Sequence, residues 1–174
     1  MIKIALTNLG KYTEGQLVYQ WLALPATNEE IQETKDAIGI NENYEEWFIT
    51  NYETDIEGLK IGEYENLDEL NELNELAERY EALDVYEQDA VKAVIEATGY
   101  DLEETLDIIE EGRYTLYDGC KDLEELAYHM VDEGIFGDPH QTGNLANYID
   151  YESLGRDLGF DGYTETSYGV IRID

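Results

Sequence analysis

The amino-acid sequence predicts an α+β protein, built as an elongated chain of three small domains. Signals for strands occur only toward the two ends of the sequence, whereas residues 62–111 carry signals for helices alone. Only 2 prolines occur in 174 residues and no linker is long or rich in serine, so the parts are expected to pack end to end. The predicted domains are a small sheet with a helix over 1–61, an acidic helical domain over 62–111, and a mixed α/β domain over 112–174.

The first domain is predicted to hold three strands and one helix. Aromatic and β-branched residues indicate strands over Ile2–Asn8, Leu17–Leu24 and Trp47–Tyr52. Between the first two, Gly10–Gly15 lacks any phosphate-loop pattern and predicts a hairpin-type turn. Thr27 and Glu30 form a capping box, so a helix should begin there and continue to Ile38. Gly39 stands where a left-handed residue ends such a helix.

The middle domain is predicted to contain only helices. One helix should extend from about Asp68 to Tyr80, and two more should begin at the capping acids Asp84 and Asp101. The residues expected on the apolar faces are Leu70, Leu73, Ala77 and Tyr80 in the first helix, Val91, Val94, Ile95 and Thr98 in the second, and Leu102, Leu106 and Ile109 in the third. Gly99 and Gly112 are the predicted ends of the last two helices.

The last domain returns to mixed structure. Short strands are predicted at Tyr114–Tyr117 and Gly169–Ile173. One helix should begin at Asp122 and end at Gly134, and a second should follow the cap Asp150. That second helix is expected over roughly residues 151–158.

Composition and charge restrict the classes of function. The chain is 43% hydrophobic with 15 Tyr, and disordered acidic chains are poor in aromatic residues, so a folded protein is expected. Its 42 acidic residues against 10 Lys and Arg give a net charge of −32, which excludes direct binding to nucleic acid or to an anionic membrane. The apolar run at the start, Met1–Leu6, is too short for a signal peptide or a membrane span. These features predict a soluble cytoplasmic protein.

Signals for catalysis and for metal or cofactor binding are weak throughout the sequence. Cys120 is the single cysteine, which predicts a buried or half-buried thiol in a reducing compartment and no disulfide. His129 and His140 have no His or Cys partner at ligand spacing, so zinc is not expected. The segment Asn51–Gly58 lacks the leading Asp and the spacing of a calcium loop. We therefore expect neither an enzyme nor a cofactor.

The segment Leu67–Glu87 repeats a triplet that places a carboxylate at every third position. In a helix, like charges three residues apart repel by roughly 0.2–0.5 kcal/mol per pair, so the pattern requires an explanation. Successive charges would rise by about 4.5 Å along the helix axis. Phosphates on one DNA strand are roughly 3.4 Å apart along the axis. The recurring carboxylates are Glu69, Glu72, Glu75, Glu78 and Glu81.

Two interpretations of the acidity are open on composition and spacing alone. A solvated acidic face favours solubility or adaptation to high salt, but such faces more usually alternate charge signs. Residues 62–111 hold 18 acids and 2 bases, a net charge of −16, and this ordered excess also fits imitation of a polyanion. The candidate acidic surface comprises Glu63, Glu65, Asp68, Glu69, Glu72, Glu75, Glu78, Glu81, Asp84, Glu87, Asp89, Glu96, Glu103, Glu104, Asp107, Glu110 and Glu111.

Three parts of the sequence, in order, carry a resemblance to a known family. They are Asn8–Gly15 with Gln20–Pro25, then Asp122–Gly137, then Tyr151–Gly159 with Tyr168–Asp174. Together they resemble the ArdA antirestriction family from the first strand to the last residue. The second part looks like that family's antirestriction motif.

The resemblance implies a function and a set of partners. ArdA proteins are carried on conjugative elements and inhibit type I restriction–modification enzymes. The resemblance implies a mimic of bent duplex DNA that occupies the DNA groove of the methyltransferase core, formed by specificity and modification subunits. It also implies an elongated homodimer without catalytic residues, and its interface is expected in the last third of the chain.

The motif itself has a structural interpretation. Its residues are Leu123, Glu124, Glu125, Leu126, Ala127, Tyr128, His129, Met130, Val131, Asp132, Glu133, Gly134, Ile135, Phe136 and Gly137. The apolar members recur at the spacing of a core-facing helix. We therefore interpret the motif mainly as a packing or dimer-supporting helix, whose acids add surface charge.

Two other functions remain as alternatives. An acidic adaptor or chaperone-like module would also bind a basic protein and would also be sensitive to salt. Only a DNA mimic, however, must compete with duplex DNA for one enzyme groove. A hydrolase that uses clustered carboxylates would need a discrete cleft with a strongly perturbed pKa.

Overall fold

The computed structural model of the chain describes residues 1–56, 58–63, 67–137 and 147–174. These residues form two compact units, 1–84 and 85–174. Across the described residues the protein is mixed α/β, with seven helices and two three-stranded sheets.

The first unit contains an antiparallel sheet in the order β2-β1-β3. Helix α2 packs against β1 and β2, and the core lies between them. The elements are β1 (Ile2–Asn8), α1 (Leu9–Thr13), β2 (Tyr19–Leu24), α2 (Asn28–Ile38), β3 (Trp47–Thr54) and α3 (Leu67–Ala82). The three predicted strands and the predicted helix are confirmed, with boundary differences of at most two residues.

Helix α2 has the ends that its sequence predicts. The Thr27 side chain accepts a hydrogen bond from Glu30 N, and the Glu30 carboxylate accepts one from Thr27 N at 2.8 Å. Gly39 follows in the left-handed region with φ of 80°, where a side chain would be strained. The capping box and the glycine stop are therefore both confirmed.

The segment expected to form a hairpin-type turn is instead the short helix α1. The buried Asn8 side chain caps it, because Asn8 Oδ1 accepts from Lys11 N at 2.9 Å. Asn8 Nδ2 donates to the carbonyls of Ile38 and Gly39, each at 3.2 Å. One side chain thus joins the end of β1 to the start of α1 and the end of α2, and it lies in the first stretch that carries the resemblance.

Helix α3 belongs to the first unit. Its buried side chains are the four predicted ones, Leu70, Leu73, Ala77 and Tyr80. It contacts β2, and Asn74 Oδ1 accepts a hydrogen bond from Ala26 N at 2.6 Å. The helices of residues 62–111 are therefore divided between the two units. The three-domain arrangement is not confirmed and stays a prediction.

The second unit contains an antiparallel sheet in the order β4-β6-β5. Helix α4 contacts β5, β6 and α5, and α6 packs along α7. The elements are α4 (Val85–Thr98), α5 (Leu102–Glu110), β4 (Tyr114–Tyr117), α6 (Leu123–Asp132), α7 (Tyr151–Phe160), β5 (Tyr163–Thr166) and β6 (Gly169–Ile173). The predicted helices and two predicted strands are confirmed, whereas β5 was not predicted.

Thr98, which was expected on the apolar face of α4, is exposed, and its hydroxyl donates a hydrogen bond to the Val94 carbonyl at 2.7 Å.

Helices α6 and α7 approach each other very closely at Gly155. A Cβ placed on Gly155 would lie 2.7 Å from the Leu123 carbonyl oxygen. Gly159, one turn later, faces the Leu123 side chain. The second and third stretches that carry the resemblance therefore pack on each other in one core, together with Cys120 and Val170.

Candidate partner-binding surface

The repeated triplet of the sequence becomes the exposed face of α3. Glu72, Glu75, Glu78 and Glu81 are exposed, and Glu69 is half-buried. The buried leucines lie on the opposite side of the helix, so its apolar face is fixed against the first unit. The carboxylates consequently form a row that winds along the outer side, rising about 4.5 Å and turning about 60° around the axis from one to the next.

Three further acids of the candidate surface belong to the first unit. Glu63, Asp68 and Asp84 are all exposed. Glu65 lies outside the described residues. The first unit therefore presents a set of solvated carboxylates on and beside α3.

The candidate acids of the second unit lie on and next to helices α4 and α5. The exposed ones are Glu96, Glu103, Glu104, Asp107, Glu110 and Glu111, and the half-buried ones are Glu87 and Asp89. Each unit thus presents its own set of carboxylates. That the two sets form one continuous surface remains a prediction.

Some of these acids have structural roles that the sequence did not indicate. The Glu96 carboxylate accepts hydrogen bonds from Ser167 N at 3.0 Å and fixes the turn between β5 and β6. Asp89 pairs with Lys92 at 3.1 Å, and Glu111 pairs with Arg113. These carboxylates are therefore already engaged within the second unit. In the row on α3, Glu81 likewise pairs with the amino terminus of Met1 at 3.5 Å, and Glu78 accepts from Asn74 Nδ2.

Several of the few cations lie against aromatic rings. Lys35 Nζ lies 4.7 Å from the centre of the Trp47 ring, and burial lowers the pKa of this lysine. The other cation–ring pairs are Lys11 with Tyr44, Lys92 with Tyr168, and Arg172 with Tyr163. Such contacts stabilise the fold by about 0.5–2 kcal/mol each, according to how far the cation is desolvated. The sequence contains the cations and the rings but does not show which of them meet.

Helix α6 contains most of the motif stretch and divides it into two faces. Leu126, Ala127, Met130 and Val131 are buried in the core of the second unit. Asp122 caps the helix by accepting from Glu125 N at 2.8 Å, as predicted. The burial of these apolar residues agrees with the interpretation of the motif as a packing helix.

The outward face of α6 borders an open groove that the sequence did not reveal. The groove has a volume of about 640 Å³ and lies between α6 and the segment from β4 to Cys120. Its lining includes Tyr117, Tyr128, His129 and Asp132. No residue spacing in the sequence indicates this groove, because it depends on β4 lying beside α6.

The residues with possible catalytic or metal-binding chemistry are scattered. Within the described ranges, no group of three or more His, Cys, Asp and Glu residues has the arrangement of a metal site. Cys120 is buried as predicted, and burial raises the pKa of its thiol, with smaller contributions from nearby carboxylates. His129 is exposed, and His140 lies outside the described residues.

No helix within the described ranges combines the length and apolarity needed to cross a lipid bilayer.

Comparison with protein families gives a match over almost the whole chain, because the model of the antirestriction protein (ArdA) family covers residues 4–172. No curated protein matches the chain significantly.

Proposed function

The chain belongs to the ArdA antirestriction family, and from this premise we propose that it is an acidic mimic of duplex DNA. Its family implies an antirestriction function exerted on restriction–modification enzymes. In our proposal it occupies the DNA-binding groove of type I enzymes and inhibits both restriction and modification. It acts by binding and performs no catalysis.

One observation carries this proposal: the ordered row of exposed carboxylates on α3. Glu72, Glu75 and Glu78 extend from a helix whose opposite face is buried, so their spacing is fixed by the backbone. A flexible acidic tail would have no such fixed spacing. The fixed spacing supports imitation of a phosphate backbone, whereas solubility requires only net charge.

The physical basis of the inhibition would be the electrostatic part of DNA binding. A DNA-binding enzyme gains much of its affinity when its cationic groove displaces counterions from phosphates. Carboxylates on a rigid helix offer the same groove a similar field. Because the protein presents no bases, we expect it to ignore the recognition sequence of the enzyme.

The proposal specifies the partner and the assembly. The bound part of the enzyme is the methyltransferase core of specificity and modification subunits. The inhibitor acts as a homodimer in the cytoplasm, without binding nucleic acid or a membrane. The whole acidic surface from Glu63 to Glu111 contributes, so no single carboxylate is essential.

A competition experiment tests the proposal. Purified type I methyltransferase core is titrated with the protein against a labelled duplex that carries the recognition site, and against a duplex that lacks it. We expect equal displacement of both duplexes, which weakens as the salt concentration rises. Failure to displace either duplex, with the protein folded, would remove mimicry and leave an acidic adaptor for a basic protein.

Two matched variants separate ordered charge from total charge. The first replaces Glu72, Glu75 and Glu78 by Gln. The second replaces Glu42, Glu45 and Glu46, three exposed acids of the same unit, and leaves the same net charge. We expect the first variant to lose roughly tenfold in affinity at low salt and the second less than threefold. Equal losses would show that only total charge matters.

A further inference from the structure

The outward face of α6 combines aromatic rings and carboxylates in one groove. Glu125, Tyr128, His129 and Asp132 follow the spacing i, i+3, i+4 and i+7, which places them on one side of the helix. Their helix is fixed from the opposite side by its buried apolar residues. The groove is therefore bounded by a rigid wall and lies within a single unit.

The second wall adds another ring and another carboxylate. Tyr117 and Asp118 come from β4 and the turn that follows it. The Tyr117 ring meets His129 edge-on, with ring centres 5.8 Å apart. Burial raises the pKa of Tyr117, as does the neighbouring Tyr163, so the phenol stays neutral at physiological pH.

Carboxylates in the groove lining can pair with a cationic ligand. Lys121 bonds to Glu125 at the rim, and within the described residues neither Asp118 nor Asp132 has an ion-pair partner. Among the described residues, those that line the groove include neither lysine nor arginine. Tyr128, which is 60% exposed, contacts the Tyr151 ring at a tilt of 45°, with ring centres 5.1 Å apart, so its ring is supported from one side.

The same unit shows twice that a ring and a carboxylate together hold a cation. Arg172 lies over the Tyr163 ring at 5.5 Å and pairs with Asp174 at 3.3 Å. Lys92 lies over the Tyr168 ring at 5.6 Å and pairs with Asp89 at 3.1 Å. In both places a ring and a carboxylate hold one cation, and the described lining of the groove offers tyrosine rings and carboxylates of the same kinds.

We propose that the groove between β4 and α6 binds the guanidinium group of an arginine side chain presented by the partner enzyme. A guanidinium is planar and donates from two edges, so it stacks on a tyrosine while it bonds to a carboxylate. An ammonium ion can also lie over a ring, as Lys92 does, but it is not planar and lacks the second edge that lets a guanidinium stack flat while it bonds to a carboxylate. The inference rests on the proposed function for the identity of the partner, and it adds one discrete anchor to an otherwise spread electrostatic interface.

Direct titration of the protein alone tests the groove. The ¹⁵N-labelled full chain is titrated with N-acetyl-arginine methylamide, with the lysine counterpart, and with the citrulline counterpart, which has the shape of arginine but no charge. We expect saturable shifts at Gly119, Cys120 and His129 with the arginine compound, several-fold weaker binding of the lysine compound, and none of the citrulline compound. Equal shifts with citrulline, or unsaturable shifts spread over all acidic residues, would overturn the proposal.

Matched variants assign the binding to the groove. Asp132→Asn and Tyr128→Leu should each weaken binding of the arginine compound at least about fivefold, because each substitution removes either the carboxylate or the ring. Glu133→Gln removes the same charge at the adjacent exposed position and should change binding less than twofold. Circular dichroism of each variant establishes that it is folded. Unchanged binding by folded Asp132→Asn would contradict the assignment.

The enzyme assay separates this inference from the proposed function. Asp132→Asn should weaken binding to the methyltransferase core about tenfold, whereas Glu133→Gln should have little effect. If arginine binds the groove but the protein displaces no DNA from the enzyme, the DNA-mimic proposal fails alone. If DNA is displaced and the two variants behave alike, the arginine anchor fails alone.

Discussion

Helices α3 and α6 each bury an apolar face, but their exposed faces differ. The outer side of α3 carries a row of exposed acids at regular spacing. The outer side of α6 presents one tyrosine, one histidine and two acids along a groove. The difference separates two kinds of constraint, since a charged surface depends on the number and spacing of its acids, whereas a packed helix depends on each side chain.

The stretches that carry the family resemblance contain positions that depend on tight packing or on buried hydrogen bonds. Asn8 joins three elements of the first unit, and Gly155 lets α7 reach the backbone of α6. Single substitutions at such positions should be severe. Single substitutions in the acidic row should be mild.

The largest effect is expected from a charge placed in the core of α6. Met130 is 3% exposed, so Met130→Asp would bury an unpaired carboxylate at a cost of several kcal/mol, a large share of the stability of a typical domain. We expect the second unit to unfold and inhibition to be lost. Glu133→Gln, three residues later, should leave both unchanged.

Circular dichroism and an inhibition assay check this prediction together. If Met130→Asp kept its native spectrum but lost inhibition, α6 would act through direct contact at its core face, and its description as a packing helix would be wrong.

A smaller but clear effect is expected at the contact of α6 with α7. In Gly155→Ala the new methyl group would lie 2.7 Å from the Leu123 carbonyl oxygen, a backbone atom that cannot move aside cheaply. Overpacking costs about 1–3 kcal/mol. The better helix propensity of alanine offsets up to about 1 kcal/mol of this. Because the contact is with backbone, the cost should lie in the upper part of this range, and we expect a net loss of about 1–2 kcal/mol, measured by thermal or urea unfolding.

Gly119→Ala is the matched control in the same unit. No atom lies within 4 Å of a Cβ at Gly119, so the added methyl group should change stability little. Equal destabilisation by both substitutions would mean that the close approach of the two helices is not the cause.

Much of the fold was predictable because its signals are local. The cap residues Thr27 and Asp101 and the stop Gly39 each act on backbone within four residues, and the helix boundaries follow from them. The burial pattern of α3 likewise follows from the periodicity of its leucines. The exposure of the acidic row was predictable for the same reason.

The features that sequence reasoning missed depend on distant contacts. Helix α1 has only five residues including a glycine, and it is fixed by Asn8, whose side chain also binds carbonyls 30 residues away. Strand β5 has four residues, of which only Thr166 is buried, and it is defined by its pairing with β6. The groove beside α6 and the cation–ring pairs also require tertiary structure, and no spacing in the sequence encodes them.

An acid that caps a helix should behave differently from an acid that only carries charge. Asp101 Oδ1 accepts from Glu104 N at 2.9 Å at the start of α5. Asp101→Ala removes this cap and should lower the free energy of unfolding by about 1 kcal/mol. Asp101→Asn removes the same charge but keeps an acceptor, so it should be nearly neutral. If the two variants were equally destabilised, charge at the helix start and not the hydrogen bond would be responsible.

The smallest effect, and the one of opposite sign, is expected in the acidic row itself. Glu72 is exposed, with Glu69 and Glu75 three residues away on either side, and each such pair repels by roughly 0.2–0.5 kcal/mol. Glu72→Gln should therefore raise the free energy of unfolding by up to about 1 kcal/mol while it weakens binding to the enzyme less than threefold.

Glu53→Gln is the control, because it removes the same charge from β3, where Glu53 stands opposite Lys3, and it should lower the free energy of unfolding slightly instead. Urea unfolding at low and high salt distinguishes the two, because the gain from Glu72→Gln should shrink as salt screens the row. A loss of stability in Glu72→Gln at low salt would mean that the row is not mutually repelling, and its regular spacing would no longer need a functional explanation.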